Sequence, residues 1–109
     1  MMINLTALPE EIIPNMKGGE KEYALKVWAD SLTKVGIGRL IPGASIGLHT
    51  HETNCEVYYF LSGTGKVMDE GVFQPVSAGS CQYCPKGQAH TLVNDGEEDL
   101  VFLTVIAEQ

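Results

Sequence analysis

All three histidines of this 109-residue chain fall in two glycine-punctuated runs, and their order constrains the fold more than any other feature. The first run reads Gly43, five residues, His49-Thr50-His51, four residues, Glu56, six residues, Gly63. The second reads Gly79, five residues, Pro85-Lys86-Gly87, two residues, His90, three residues, Asn94. Together they offer three imidazoles and one carboxylate. Imidazole suits Fe, Zn, Cu and Ni, and a carboxylate adds a harder oxygen that also accepts Mn, so the set fits one divalent transition metal.

Spacing adds direction. On a strand, residues two apart share a face, so His49 and His51 project the same way, about 7 Å apart, with Thr50 facing outward. Glu56 opens the strand-forming run Glu56-Val57-Tyr58-Tyr59-Phe60-Leu61, and if Glu56 points inward, so do Tyr58 and Phe60. Between pair and carboxylate, Glu52-Thr53-Asn54-Cys55 is polar enough for a turn or a strand-end bulge. His90 lies far along the chain, and only a folded barrel or sandwich brings it to the others.

These two runs resemble both motifs of the cupin superfamily, over Gly43 to Asn94. The resemblance implies an all-β fold, the double-stranded β-helix or jelly-roll barrel, with a metal held by His49, His51, Glu56 and His90. It also implies a homodimer, since many small cupins pair by exchanging or adding N-terminal strands. Within the superfamily the chain is similar to small single-domain cupins labelled oxalate-decarboxylase-like or mannose-6-phosphate-isomerase-like. Oxalate decarboxylases carry an arginine three residues before the first histidine, where this chain has Ile46. Thiol dioxygenases usually lack the motif glutamate, which is retained here as Glu56.

Length and punctuation agree with an all-β reading. One hundred and nine residues make one domain that can build a core without disulfides. Short apolar runs separated by glycine, proline and acidic turns predict strands at Tyr23–Asp30, Thr33–Ile41, Ser45–Thr50, Cys55–Leu61, Gly65–Met68, Val72–Val76, Ser80–Cys84, Ala89–Val93 and Leu100–Ala107. Asp69-Glu70-Gly71 and Asp95-Gly96 are expected hairpin turns. Residues 1–22 form an N-terminal arm and 23–109 the barrel, with one helical turn expected within Thr6–Ile13.

The net charge of −7, with no cluster of lysine or arginine, argues against nucleic acid and anionic membranes as partners. With no apolar span and no signal-peptide pattern, a cytoplasmic location is expected. Three cysteines, Cys55, Cys81 and Cys84, fit a reducing compartment. Cys81 and Cys84, three apart on a strand, face opposite sides, so neither a redox pair nor a shared zinc site is expected. Gln82 and Cys84 would share a face, on which Gln82 can serve as a hydrogen-bonding helper near the metal.

Four protein ligands leave one or two metal positions for a small-molecule ligand. The expected cofactor is one divalent transition metal per chain, Mn or Fe first, with Zn or Ni as alternatives. The chemistry expected is that of a lyase, dioxygenase or isomerase acting on a small oxygenated metabolite, a carboxylate or sugar. The alternatives are a metal-holding module that binds such a molecule without turning it over, and a metal-free scaffold. Tyr58 is the candidate acid or base by strand parity. Arg39, the single arginine, would clamp a carboxylate if it faces inward.

Overall fold

The computed structural model describes residues 1–109. Ten strands form two antiparallel sheets. The larger has the order β1 (Glu11–Pro14), β2 (Glu22–Ala29), β3 (Thr33–Leu40), β10 (Leu100–Glu108), β5 (Asn54–Ser62), β8 (Cys81–Cys84). The smaller has the order β4 (Ser45–Thr50), β9 (Ala89–Val93), β6 (Thr64–Asp69), β7 (Val72–Ser77). From β3 onward the chain passes between the sheets at nearly every connection, which winds it into a double-stranded β-helix. All nine strands expected from the sequence are present, each within one residue of its expected ends. No helix is long and apolar enough to cross a membrane.

The packing follows the alternation of apolar and polar residues. Tyr23, Leu40, Ile46, Tyr58, Phe60, Leu92, Leu100 and Phe102 belong to one buried cluster between the sheets. Tyr58, Phe60 and Glu56 share the inner face of β5, and Gln82 and Cys84 share that of β8. Cys81 is exposed where Cys84 is buried, so their thiols do face opposite sides. The β6–β7 hairpin turns at Glu70-Gly71, both left-handed (φ 50° and 83°), the two-residue geometry that matches strand twist.

Two local expectations are corrected. The arm has a 3-10 turn at Leu5–Ala7, but Glu11–Pro14 is a strand paired antiparallel with β2, not part of a helical turn. An isolated helical turn cannot sustain itself, whereas the free edge of β2 offers Ile12 and Ile13 a ready line of backbone partners. Asp95-Gly96 is not a hairpin, because β9 and β10 lie in different sheets and the segment crosses between them. Fully buried Asn94 pins this crossing: its amide donates to the Leu40 and Glu98 carbonyls, and its oxygen accepts from the Gly96 N–H.

Gly38 on β3 shows how tightly the barrel closes. A Cβ there would sit 2.5 Å from Phe102 Cζ and 2.7 Å from Tyr23 Cε1, and these two rings are themselves stacked. Gly38→Val is expected to cost about 3 kcal/mol through overpacking, read as a lowered urea midpoint. A midpoint equal to that of the wild type would mean the rings can move aside.

Candidate metal centre

The site forms where the chain leaves one sheet for the other. β4 carries His49 and ends at Thr50, His51 follows directly, and Glu52-Thr53 then crosses to β5, whose second inward position is Glu56. His90 on β9 lies directly across from His49 in the register of the smaller sheet. The carboxylate therefore approaches from one sheet and the three imidazoles from the other.

A bulge makes this convergence compatible with the core. In the pairing of β4 with β9, Ile46 opposes Leu92 and His49 opposes His90, so β4 has one residue more than its partner over that stretch. Regular alternation would put Ile46 and His49 on opposite faces. The extra residue lets both face inward and turns Leu48 out, 61% exposed. Gly47 sits in the bulge with no room for a side chain, since a Cβ would meet the Lys17 carbonyl oxygen at 2.1 Å. A glycine inside a strand pattern is the sequence signal for such a bulge.

Three Nε2 atoms and one carboxylate oxygen converge. His51 Nε2 and His90 Nε2 are 3.0 Å apart, and His90 Nε2 and His49 Nε2 are 3.1 Å apart. Glu56 Oε1 lies 3.0 Å from His51 Nε2, 2.9 Å from His90 Nε2 and 3.8 Å from His49 Nε2. All four ligand atoms fall within 4.8 Å of one another. With metal–ligand bonds of about 2.1 Å, ligands at right angles are about 3.0 Å apart and tetrahedral ones about 3.4 Å. Four of the six separations thus resemble the edges of an octahedron.

Hydrogen bonds behind the ligands fix which nitrogen faces the centre. His49 Nδ1 donates to the Gly47 carbonyl (2.7 Å), His51 Nδ1 to Asn54 Oδ1 (2.6 Å) and His90 Nδ1 to Gln82 Oε1 (2.9 Å). The orientation of the Gln82 amide is dictated by its other end, which donates to the Met68 carbonyl and to Asp69 Oδ1. With each Nδ1 a donor, each neutral imidazole presents an Nε2 lone pair. Lone pairs 3 Å apart beside a carboxylate repel one another unless protons or a cation lie among them, and this donor set could hold one divalent metal. Glu56 Oε2 is held by the Thr104 hydroxyl at 2.6 Å, leaving Oε1 for the centre.

The electrostatics are consistent. Without a metal, Nε2 can carry a proton instead; burial alone would raise the Glu56 carboxyl, but hydrogen bonds from His49, His51 and His90 in that protonated form and from Thr104 outweigh it and hold it well below the usual carboxylate range. The Glu56 hydrogen bond raises His51 against the opposing effects of burial and the Lys17 ammonium. His90 moves the other way, because its complete burial penalises the charged imidazole more than Glu56 favours it. The neighbouring Cys84 thiol is pushed up to about 11 by burial and by Glu56 and Asp69, so it stays protonated.

A cavity of about 370 Å³ opens over the cluster. Its apolar wall includes Leu25, Val27, Ile46 and Ile106, and two phenols, Tyr23 and Tyr58, stand on it. Tyr58 stacks on His90 with ring centroids 4.9 Å apart and planes 7° from parallel. Burial and the Glu56 charge raise both phenols above their ordinary range. In the metal-free site both therefore stay protonated and can donate hydrogen bonds.

The expected residues thus separate. His49, His51, Glu56 and His90 come together, Tyr58 lies on the cavity wall, and Gln82 stands behind His90. The inward-facing role considered for Arg39 is not found. It alternates with Gly38 and Leu40, which face the core, and its guanidinium pairs outside with Glu10 (2.8 Å) and Asp99 (3.3 Å). Sequence reasoning missed Asn54, Thr104 and Tyr23. Thr104 had a signal: a lone hydroxyl in the inward series Leu100, Phe102, Thr104, Ile106.

Residues 36–106 match the family described as the cupin domain. The chain is a member of the cupin family. This cupin is 36% identical over 115 residues to the "Oxalate-binding protein" of Thermotoga maritima, across 97% of its own length and 93% of that protein's. It aligns over the full length of both chains, with TM-score 0.93 and 33% identity, with a Thermotoga maritima crystal structure described as a "predicted oxalate decarboxylase". The cupin domain of Schizosaccharomyces pombe Cnp3 matches 97% of the chain, and 72% of its own, with TM-score 0.79. At 13% identity that last likeness concerns the fold alone.

Gln82→Leu removes the acceptor for His90 Nδ1 while nearly conserving volume. Metal affinity of this cupin is expected to fall about 10- to 100-fold, measured by competition with a chromogenic chelator, with the far-UV spectrum unchanged. Unaltered affinity would show that packing against Tyr58 alone orients His90.

Proposed function

We propose that this cupin holds one divalent transition metal, Mn or Fe, through His49, His51, Glu56 and His90, and binds a small carboxylate of the oxalate class at it without turning the molecule over. The observation that carries this reading is the composition of the cavity above the ligands. Next to the ligands it joins the aliphatic side chains of Leu25, Val27, Ile46 and Ile106 to the phenols of Tyr23 and Tyr58, and Lys17, Lys34 and Glu52 line it as well; in the metal-free site burial holds both phenols in the protonated form. Such a site can bind and orient an oxygen-rich anion, and neither phenol beside the ligands is poised to accept a proton. Near-right-angle ligand separations favour Mn or Fe over tetrahedral Zn. Likeness to an "Oxalate-binding protein" supports the ligand class.

When bound, the metal supplies Lewis-acid or redox chemistry and open positions for a bidentate carboxylate. The chain supplies the rest. Glu56 contributes one negative charge, Tyr58 and Tyr23 offer hydroxyl donors, and Leu25, Val27, Ile46 and Ile106 form an apolar side to the cavity. A second reading, turnover by a lyase, rests on Tyr58, whose phenol beside Glu56 could pass a proton to a decarboxylated product.

Elemental analysis of protein purified without tag or chelator is expected to show about one Mn or Fe per chain, lost in His90→Ala. Saturating oxalate, at about 100 times its Kd, should stabilise the loaded protein by about 2.7 kcal/mol and leave the stripped protein unaffected. No formate or CO2 should accumulate. Formate release that vanishes in Tyr58→Phe would establish the lyase reading, and oxalate binding that ignores metal removal would refute both.

A further inference from the structure

Cations are few in this acidic chain, six lysines and one arginine, and most are committed elsewhere. Arg39 pairs with Glu10 and Asp99. Lys21 donates to the Pro42 carbonyl, Lys26 to that of Thr6 and Lys86 to that of Gln109. Lys66 lies 4.8 Å over the Phe73 ring. Lys17 and Lys34 alone make no hydrogen bond, ion pair or ring contact, and both line the cavity above the metal ligands. The other charged side chain along that rim is Glu52.

Lys17 also stands on a costly backbone. It is left-handed, with φ 54° and ψ 31°, between Asn15 at φ 50° and Gly18 at φ 82°. A residue with a Cβ pays about 1–2 kcal/mol there, which glycine would avoid. The turn is locked onto β4: a Cβ on Gly19 would meet the Ser45 carbonyl oxygen at 2.1 Å, and one on Gly47 would meet that of Lys17 at the same distance. Lys17 is thus fixed relative to the strand that carries His49 and leads directly into His51. Strain maintained at a cavity rim is a recurrent mark of ligand contact.

Charge bookkeeping then indicates the ligand. A divalent metal beside Glu56 leaves one net positive charge at the floor. A monocarboxylate neutralises it, but a dicarboxylate leaves one negative charge that a low-dielectric cavity must match.

We propose that Lys17 and Lys34 determine specificity by neutralising the second charge of a dicarboxylate dianion whose first carboxylate sits at the metal, an inference that rests on the metal-dependent binding reading above. Lys34 lies at the start of β3 on the inward parity of Gly36 and Gly38, so its ammonium faces the mouth from the sheet opposite Lys17's anchor on β4.

The test uses the Mn-loaded full chain, titrated calorimetrically with oxalate and with glycolate, a bidentate monoanion, for wild type, Lys17→Gly, Lys34→Gln and the double variant. Metal content should be unchanged in all four. Oxalate affinity should drop at least about tenfold in the double variant while glycolate affinity changes less than about twofold. Lys17→Gly should also raise the Tm by about 4–8 °C as the left-handed strain is relieved. Wild-type oxalate affinity in the double variant, or equal losses for both ligands, would overturn the inference. So would a lowered Tm with unchanged oxalate affinity in Lys17→Gly, which would make Lys17 a residue of the fold. Wild type that binds neither ligand would instead refute the metal-dependent reading itself.

Discussion

Three imidazole lone pairs and one carboxylate oxygen meet inside this barrel, and much of the surrounding structure is arranged to keep them there. Left alone, such groups would separate or take up protons. They stay because each Nδ1 is already engaged, by the Gly47 carbonyl, Asn54 and Gln82, and because Thr104 holds the far oxygen of Glu56. The supports come from strands of both sheets. The centre therefore ties the sheets together at an end where the side chains are polar and the apolar core has thinned to Tyr23, Ile46 and Tyr58.

Strand parity made much of this legible in the sequence. Counting by twos along β5 and β8 puts Glu56 with Tyr58 and Phe60, and Gln82 with Cys84, and the folded chain keeps those faces. Parity fails where the ladder is irregular or a face must be guessed. It cannot supply the extra residue at Gly47 that turns Leu48 outward, nor tell which side of β3 holds Arg39 until Gly38 is seen packed against the Tyr23 and Phe102 rings. The strand at Glu11–Pro14 escapes a local reading for a different reason. Thr6–Ile13 has local helical signals, but a free sheet edge is a tertiary partner that no local pattern reveals. Lys17 was invisible because its importance lies in backbone conformation and in the absence of partners, neither of which is written in residue type.

Acidity overall and cationic character at one rim are compatible because the negative charge is dispersed. Glu10 and Asp99 are paired with Arg39 on the outer face, and the acidic run Glu97-Glu98-Asp99 lies on the crossing before β10. Near the centre, Glu56 is bound up with its histidines. An approaching anion thus meets the unpaired ammonium groups locally, whatever the charge of the whole molecule, since exposed charges beyond a Debye length are screened.

The boundary of the family match divides the site in two. Residues 36–106 include every metal ligand and every group that orients one, whereas Lys17 and Lys34 lie before it. The turn bearing Lys17 packs Met16 against the core and abuts the ligand strand where Gly19 and Gly47 have no side chains. Substitutions at its exposed position can therefore retune which molecule is admitted without disturbing how the metal is held. Recognition and coordination are physically separable in this protein, and a lineage or an engineer could vary the first while inheriting the second intact.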